Sequence, residues 1–126
     1  MKRIYILAFA LSAISMANPL AVWAQSPAEG QKLYSTHCSA CHGEGGKGDG
    51  PAGNSLPVKP ADHTDGKLMN SFPDKFLLDI IAKGGVAVGK SPFMPSWGGV
   101  LKENQVRDLV AYLRSIANPS YKASGK

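Results

Sequence analysis

Apolar residues recur at helical spacing in three stretches of the chain, and nowhere does a long alternation suggest a pair of strands. The first stretch follows Ser26-Pro27-Ala28-Glu29. Ser26 can accept a hydrogen bond from the Glu29 amide, and Glu29 can reach back to the Ser26 amide. Pro27 at the first helical position loses no donor the helix needs. Gly30, Leu33 and Tyr34 then share a face, which predicts a helix running to about Cys38. A second helix is expected from near Ser71, with Ser71 and Asp74 capping around Pro73. Phe76, Leu77, Ile80 and Ile81 form its apolar face, and Gly84-Gly85 its stop. The third, over about Lys102 to Ala117, places Val106, Leu109, Val110, Leu113 and Ile116 on one stripe flanked by Tyr112, and Asn118-Pro119 ends it.

The pattern therefore predicts an all-α domain of three main helices with long loops. One loop, from Gly43 to about Asn70, is rich in glycine and holds Pro51, Pro57 and Pro60. A structureless loop of that length in a small domain needs a job, such as wrapping a large ligand.

The start of the chain belongs to another class of segment. Met1-Lys2-Arg3 is basic, Ile4 to Ala17 is apolar except for Ser12 and Ser15, and Val22-Trp23-Ala24 offers small residues on either side of Trp23. This layout is that of a cleaved secretory leader over residues 1–24. The apolar run falls short of the roughly 20 residues a bilayer core needs, so stable membrane insertion is not expected. The remaining domain, 25–126, is then exported, with the periplasm as its expected compartment. Removing 24 of 126 residues leaves 102, and two of the 14 basic residues go with them, taking the formal charge from +5 to +3. What remains carries 22 Gly and Pro and only seven aromatics. So short and loop-rich a chain buries little core of its own. Its two cysteines are too few for a disulfide scaffold.

Those cysteines stand in Cys38-Ser39-Ala40-Cys41-His42, the C-x-x-C-H spacing that attaches c-type haem. Two thiols three positions apart can each add to one vinyl group of the same porphyrin, and the following His42 reaches the iron. Other readings fit less well. A thioredoxin-like pair opens a helix in a βαβ context, whereas this pair closes one. A zinc site needs four ligands, and only His37 and His63 remain, at no zinc-finger spacing. A Cys38–Cys41 disulfide would close a tiny loop and stabilise little. Methionine or histidine usually completes the iron coordination of electron-transfer haems. Met94 lies in Ser91-Pro92-Phe93-Met94-Pro95-Ser96-Trp97, where Pro95 restricts its backbone to an extended form. Met69 reads as packing, and His63 as an exposed loop histidine rather than a ligand.

In these features the chain resembles the class I c-type cytochromes, and in particular their bacterial periplasmic monohaem branch. The resemblance spans residues 26–117. It rests on Gly30 and Tyr34, the Cys38–His42 motif, Gly50-Pro51, Lys59-Pro60-Ala61-Asp62, Met94-Pro95 at 52 residues beyond His42, and Tyr112. It implies the cytochrome c-like fold around one covalently bound haem c. Cys38 and Cys41 would form the thioether links, His42 the proximal ligand and Met94 the distal one. Gly30 would let the first and last helices cross closely, with Tyr34 and Tyr112 packed at the crossing. The Pro51 carbonyl would accept the His42 Nδ1 proton. Trp97 would either donate to a haem propionate or simply pack. The lysines are scattered rather than ringed, unlike those of mitochondrial members.

A haem ligated on both sides leaves no vacancy for substrate, which points away from an enzyme and towards one-electron transfer. Redox proteins are the expected partners, met in a transient contact by a monomer, and nucleic acid is not. Two other readings stand beside this one. One is a fixed electron-transfer subunit of a larger oxidoreductase. The other is an open-haem enzyme or gas sensor.

Overall fold

A computed structural model describes residues 24–122. The leader expected over 1–24 lies, apart from Ala24, outside the described residues. Among the described residues there are helices and short helical turns but no strand, in agreement with an all-α fold. In chain order these are α1 (Pro27–His37), α2 (Ser39–His42), α3 (Gly66–Ser71), α4 (Asp74–Lys83) and α5 (Glu103–Ile116), with 3-10 turns at Gly53–Ser55 and Val86–Val88.

Helices α1 and α5 cross at Gly30. A Cβ on Gly30 would stand 2.0 Å from the Asp108 carbonyl oxygen and 2.8 Å from Tyr112 Cβ, so only glycine permits this approach. Tyr34 and Tyr112 pack beside it, ring centroids 5.1 Å apart. The expected cap at Ser26 is half present. Its hydroxyl accepts from the Glu29 amide at 3.3 Å, but its own amide donates to Asp108 Oδ1 at 2.7 Å instead of to Glu29. Glu29 pairs with Lys32. The cap thus links α1 to α5 rather than closing on itself. The predicted stripe of α5 is the core face: Val106, Leu109, Val110 and Leu113 are buried. Tyr112, placed at the flank by periodicity, is buried as well.

The second expected helix is α4, begun three residues later than expected, and an unexpected short helix, α3, precedes it in the stretch expected to be loop. Ser71 does not cap α4; its hydroxyl donates back to Leu68 O at 2.6 Å and closes α3. The cap of α3 is Asp65, whose carboxylate accepts from the Leu68 amide at 3.1 Å. Pro73 breaks the path between the two, and α4 begins at Asp74. The glycine-rich loop is correspondingly shorter and is itself interrupted by the turn at Gly53–Ser55. Arg114 of α5 then binds the break together. It donates to the Met69 carbonyl at 2.7 Å, to the Phe72 carbonyl at 2.6 Å and to Asp74 Oδ1 at 2.7 Å. Met69 is fully buried, the packing role expected of it.

The crossing yields a prediction. Replacing glycine by alanine in a helix interior ordinarily gains about 1 kcal/mol. At Gly30 the new methyl meets a backbone carbonyl that cannot move without parting the helices. Gly30→Ala should therefore lose a net 1–3 kcal/mol or so in denaturant titration, on the scale of core overpacking. Unchanged or higher stability would contradict the close crossing.

Candidate functional site

The end of α1, the motif turn α2, and α3 to α5 line an open cavity of about 360 Å³, in the range of sites that hold cofactors. Its walls are mostly apolar, with Leu68, Phe72, Ile80, Ile81, Leu109 and Leu113 among them. Cys38, Cys41 and His42 lie on this wall, as do Met94, Pro95 and Trp97.

Cys41, His42 and Met94 lie on segments tied by loop amides that bond to carbonyls at a helix end. The last carbonyls of a helix lack partners within it. Those of α2 are taken up by the glycine-rich loop: Ala52 N to Ala40 O at 2.9 Å, Gly50 N to Cys41 O at 3.1 Å and Gly48 N to His42 O at 2.7 Å. The last carbonyls of α4 are taken up by the Met94 loop: Trp97 N to Ile81 O and Gly98 N to Ala82 O, both at 2.9 Å. The Ser96 hydroxyl also donates to Ala82 O at 2.6 Å. The Met94 carbonyl in turn accepts from the Gly85 amide at 2.9 Å.

Cys38 and Cys41 are free thiols. Burial, and secondarily its neighbour Cys41, push the Cys38 thiol up to about 12. A redox-active pair of the thioredoxin kind has a lowered thiol pKa, so the buried Cys38 runs against that chemistry. Among the described residues no three His, Cys, Asp or Glu side chains converge to hold a metal ion on their own.

His42 Nδ1 lies 3.1 Å from the carbonyl oxygen of Ala61. A carbonyl only accepts, so Nδ1 carries the proton and Nε2 keeps the lone pair. Burial lowers the His42 pKa, outweighing the opposite effect of that bond, and favours the neutral ring that can ligate iron. This corrects the assignment to Pro51. Pro51 is exposed and not on the cavity wall, and the segment that reaches the imidazole is Pro60-Ala61 further along. The donor set fits a c-type haem. There are two thiols three positions apart on one wall, an imidazole with its outer nitrogen already bonded, a thioether on the α4–α5 loop, and an apolar lining.

His63 requires a second correction. It is not an exposed loop histidine but part of the cavity wall. Its ring stacks on His42 with centroids 4.2 Å apart and planes 20° from parallel. Its Nδ1 is 3.2 Å from the Tyr34 hydroxyl. Burial, then the neighbouring His42, push it down to about 3, so the ring is neutral. No periodicity marks this position, because a loop residue carries none. Lys59, Lys90 and His37 also border the cavity, and His37 packs on Trp97 with centroids 4.9 Å apart.

Comparison with known proteins agrees with this chemistry. The family model described as cytochrome C oxidase, cbb3-type, subunit III matches residues 25–113. The cbb3-type cytochrome c oxidase subunit FixP of Bradyrhizobium diazoefficiens is 29% identical over 89 residues, covering 71% of this chain and 27% of that protein. The chain thus spans about a quarter of the length of that relative. Cytochrome c6 of Euglena viridis is 27% identical over 89 residues, covering 71% of the chain and 91% of the relative. Among solved structures, the c-type cytochrome KustC0563 superposes with a TM-score of 0.57 at 24% identity, over 71% of this chain and 98% of the other. A chain of the Kuenenia stuttgartiensis reducing HAO-like protein complex Kustc0457/Kustc0458 does so at 0.56 and 29% identity, over 71% and 41%.

The cavity opens to solvent, so without a filler its apolar walls stay wet and α3 and α4 lack the hydrophobic burial that would hold them in place. The Cys38→Ala/Cys41→Ala double variant, unable to retain haem covalently, should therefore lose cooperative unfolding. Hydrogen exchange should show the cavity-lining helices α3 and α4 poorly protected. Exchange protection equal to that of the mature wild type would contradict the need for a filler.

Proposed function

The chain belongs to the c-type cytochrome family described as cytochrome c oxidase, cbb3-type, subunit III, and from that membership we propose that it is a periplasmic one-electron carrier holding a single haem c. Cys38 and Cys41 would form the two thioether links, and His42 Nε2 and the Met94 thioether the two axial bonds. The bound haem supplies reversible one-electron exchange between ferric and ferrous iron. The chain's residues do the rest. The apolar wall excludes water and, with the thioether, favours the ferrous state. The Ala61 carbonyl holds the His42 ring and strengthens it as a ligand. Trp97, at the cavity wall, would donate its indole N–H to a propionate.

The observation that carries this reading is the gathering of both thiols, His42 and Met94 on one apolar cavity, with Cys41, His42 and Met94 on backbone segments pinned through helix-end carbonyls. With both axial positions taken by protein side chains, the chain acts as a carrier rather than as an enzyme. Export would follow from a leader over 1–24. Among the described residues no helix is long and apolar enough to cross a membrane. In this reading the carrier meets redox proteins transiently, as a monomer, and binds no nucleic acid. A second reading, a fixed electron-transfer subunit, is favoured by the relative named as an oxidase subunit and by the structural match inside a complex. Purification from the native source separates the two: a stoichiometric partner retained through chromatography selects the subunit.

Met94→Ala tests the ligand set. The ferric protein should lose its iron–sulfur charge-transfer band, and the ferrous protein should gain rapid carbon monoxide binding. The potential should fall by on the order of 0.1–0.3 V, a share of the roughly 0.8 V over which axial ligands move haem potentials. A wild-type protein that already binds carbon monoxide rapidly would overturn the carrier reading in favour of an open haem.

A further inference from the structure

A hydrogen bond to one ring nitrogen is a pivot. It fixes where the edge of an imidazole lies but resists rocking of the ring plane only weakly. The bond from His42 Nδ1 to Ala61 O is such a pivot. The stack of His63 on His42, at 4.2 Å and 20°, is a contact of another kind, because it sets a flat stop against a whole face. We propose that His63 is a positioning residue for His42, its ring fixing the rotation of the axial imidazole about the bond to iron. The inference rests on His42 being the proximal ligand.

The stop is itself immobilised. One short segment, Ala61 to His63, supplies both the pivot and the face. The His63 amide donates to Gly46 O at 2.6 Å. Asp62 Oδ1 accepts from the Thr64 amide at 2.8 Å and from its hydroxyl at 2.6 Å, closing the turn just behind the ring. The far edge of the ring meets the Tyr34 hydroxyl, and Tyr34 is 1% exposed at the α1–α5 crossing. Gly46 lets the loop come this close. A Cβ there would stand 2.8 Å from Ile116 Cδ1 and 3.5 Å from His63 Cβ. The imidazole plane is thereby tied to the same helix crossing that builds the fold.

Rotation of an axial imidazole has an electronic consequence. Its π system overlaps best with the iron d orbital perpendicular to the ring plane. The angle of that plane therefore decides which pyrrole rings of a low-spin ferric haem share the unpaired spin. The haem-methyl proton shifts of the ferric protein read this directly, and mere loss of packing does not reorder them in a defined way.

His63→Ala should change the order and spread of the four haem-methyl shifts, and His63→Phe, which keeps a flat ring, should restore the wild-type pattern. A wild-type pattern in His63→Ala, with haem and iron–sulfur band intact, would overturn the positioning role. So would a His63→Phe pattern matching that of His63→Ala. If His63→Ala yields no holoprotein, the wild type decides. In the diamagnetic ferrous state, ring protons of His63 should show nuclear Overhauser contacts to those of His42, and their absence overturns the proposal. Haem content and the iron–sulfur band of the wild type, recorded on the same samples, test the ligand assignment separately.

Discussion

The backbone contact between Gly30 and the carbonyl of Asp108 fixes the geometry on which the rest of this protein depends. It sets the distance between α1 and α5 to what two bare backbones allow. Helix α1 leads straight into the attachment motif, and α5 provides Leu109 and Leu113 to the cavity wall. The separation of the two helices is therefore the separation of one side of the site from its back. Tyr34 extends the same contact forward, packing on Tyr112 and reaching the His63 ring with its hydroxyl.

Around that crossing the loops act as structure. A helix ending at a ligand-bearing segment leaves carbonyls that need donors, and a loop rich in glycine can bring its amides near enough to supply them. Gly50 does so at the motif, where a Cβ would stand 2.5 Å from the Ala40 carbonyl oxygen. The Met94 loop does the same at the end of α4. Both candidate axial residues thus sit on segments whose backbone is already satisfied, and in the proposed function a side chain held that way would move little between redox states. That is what fast electron exchange with low reorganisation requires.

Much of this was legible from residue patterns alone. The three apolar stripes, the motif at Cys38–His42 and the Met94-Pro95 loop are local signals, and each lies where the periodicity and spacing put it. The glycine at the helix crossing came from the resemblance rather than from any pattern, since one glycine in a helix says nothing of what crosses it. Helix α3 escaped because it is short. Its cap, Asp65, carries no periodic apolar run behind it, and Ser71 is by residue type equally able to begin the next helix. The acceptor for His42 was misplaced to Pro51 because two Pro-containing segments follow the motif, and only the three-dimensional path of the loop selects Ala61. The same holds for His63, whose burial no local pattern signals. Loop residues declare their surroundings only through long-range contacts, here with Tyr34, Gly46 and His42.

The scarcity of aromatics and the abundance of glycine and proline describe a shell, with helices and capped loops surrounding an apolar cavity that its own side chains do not fill. In the proposed function a porphyrin, joined to Cys38 and Cys41, is the core of that shell. Intact mass under denaturing conditions of the protein matured in an exporting host tests this most directly. One haem mass added per chain, with neither cysteine open to alkylation, is the expected result. The bare polypeptide mass with both thiols alkylated would contradict it.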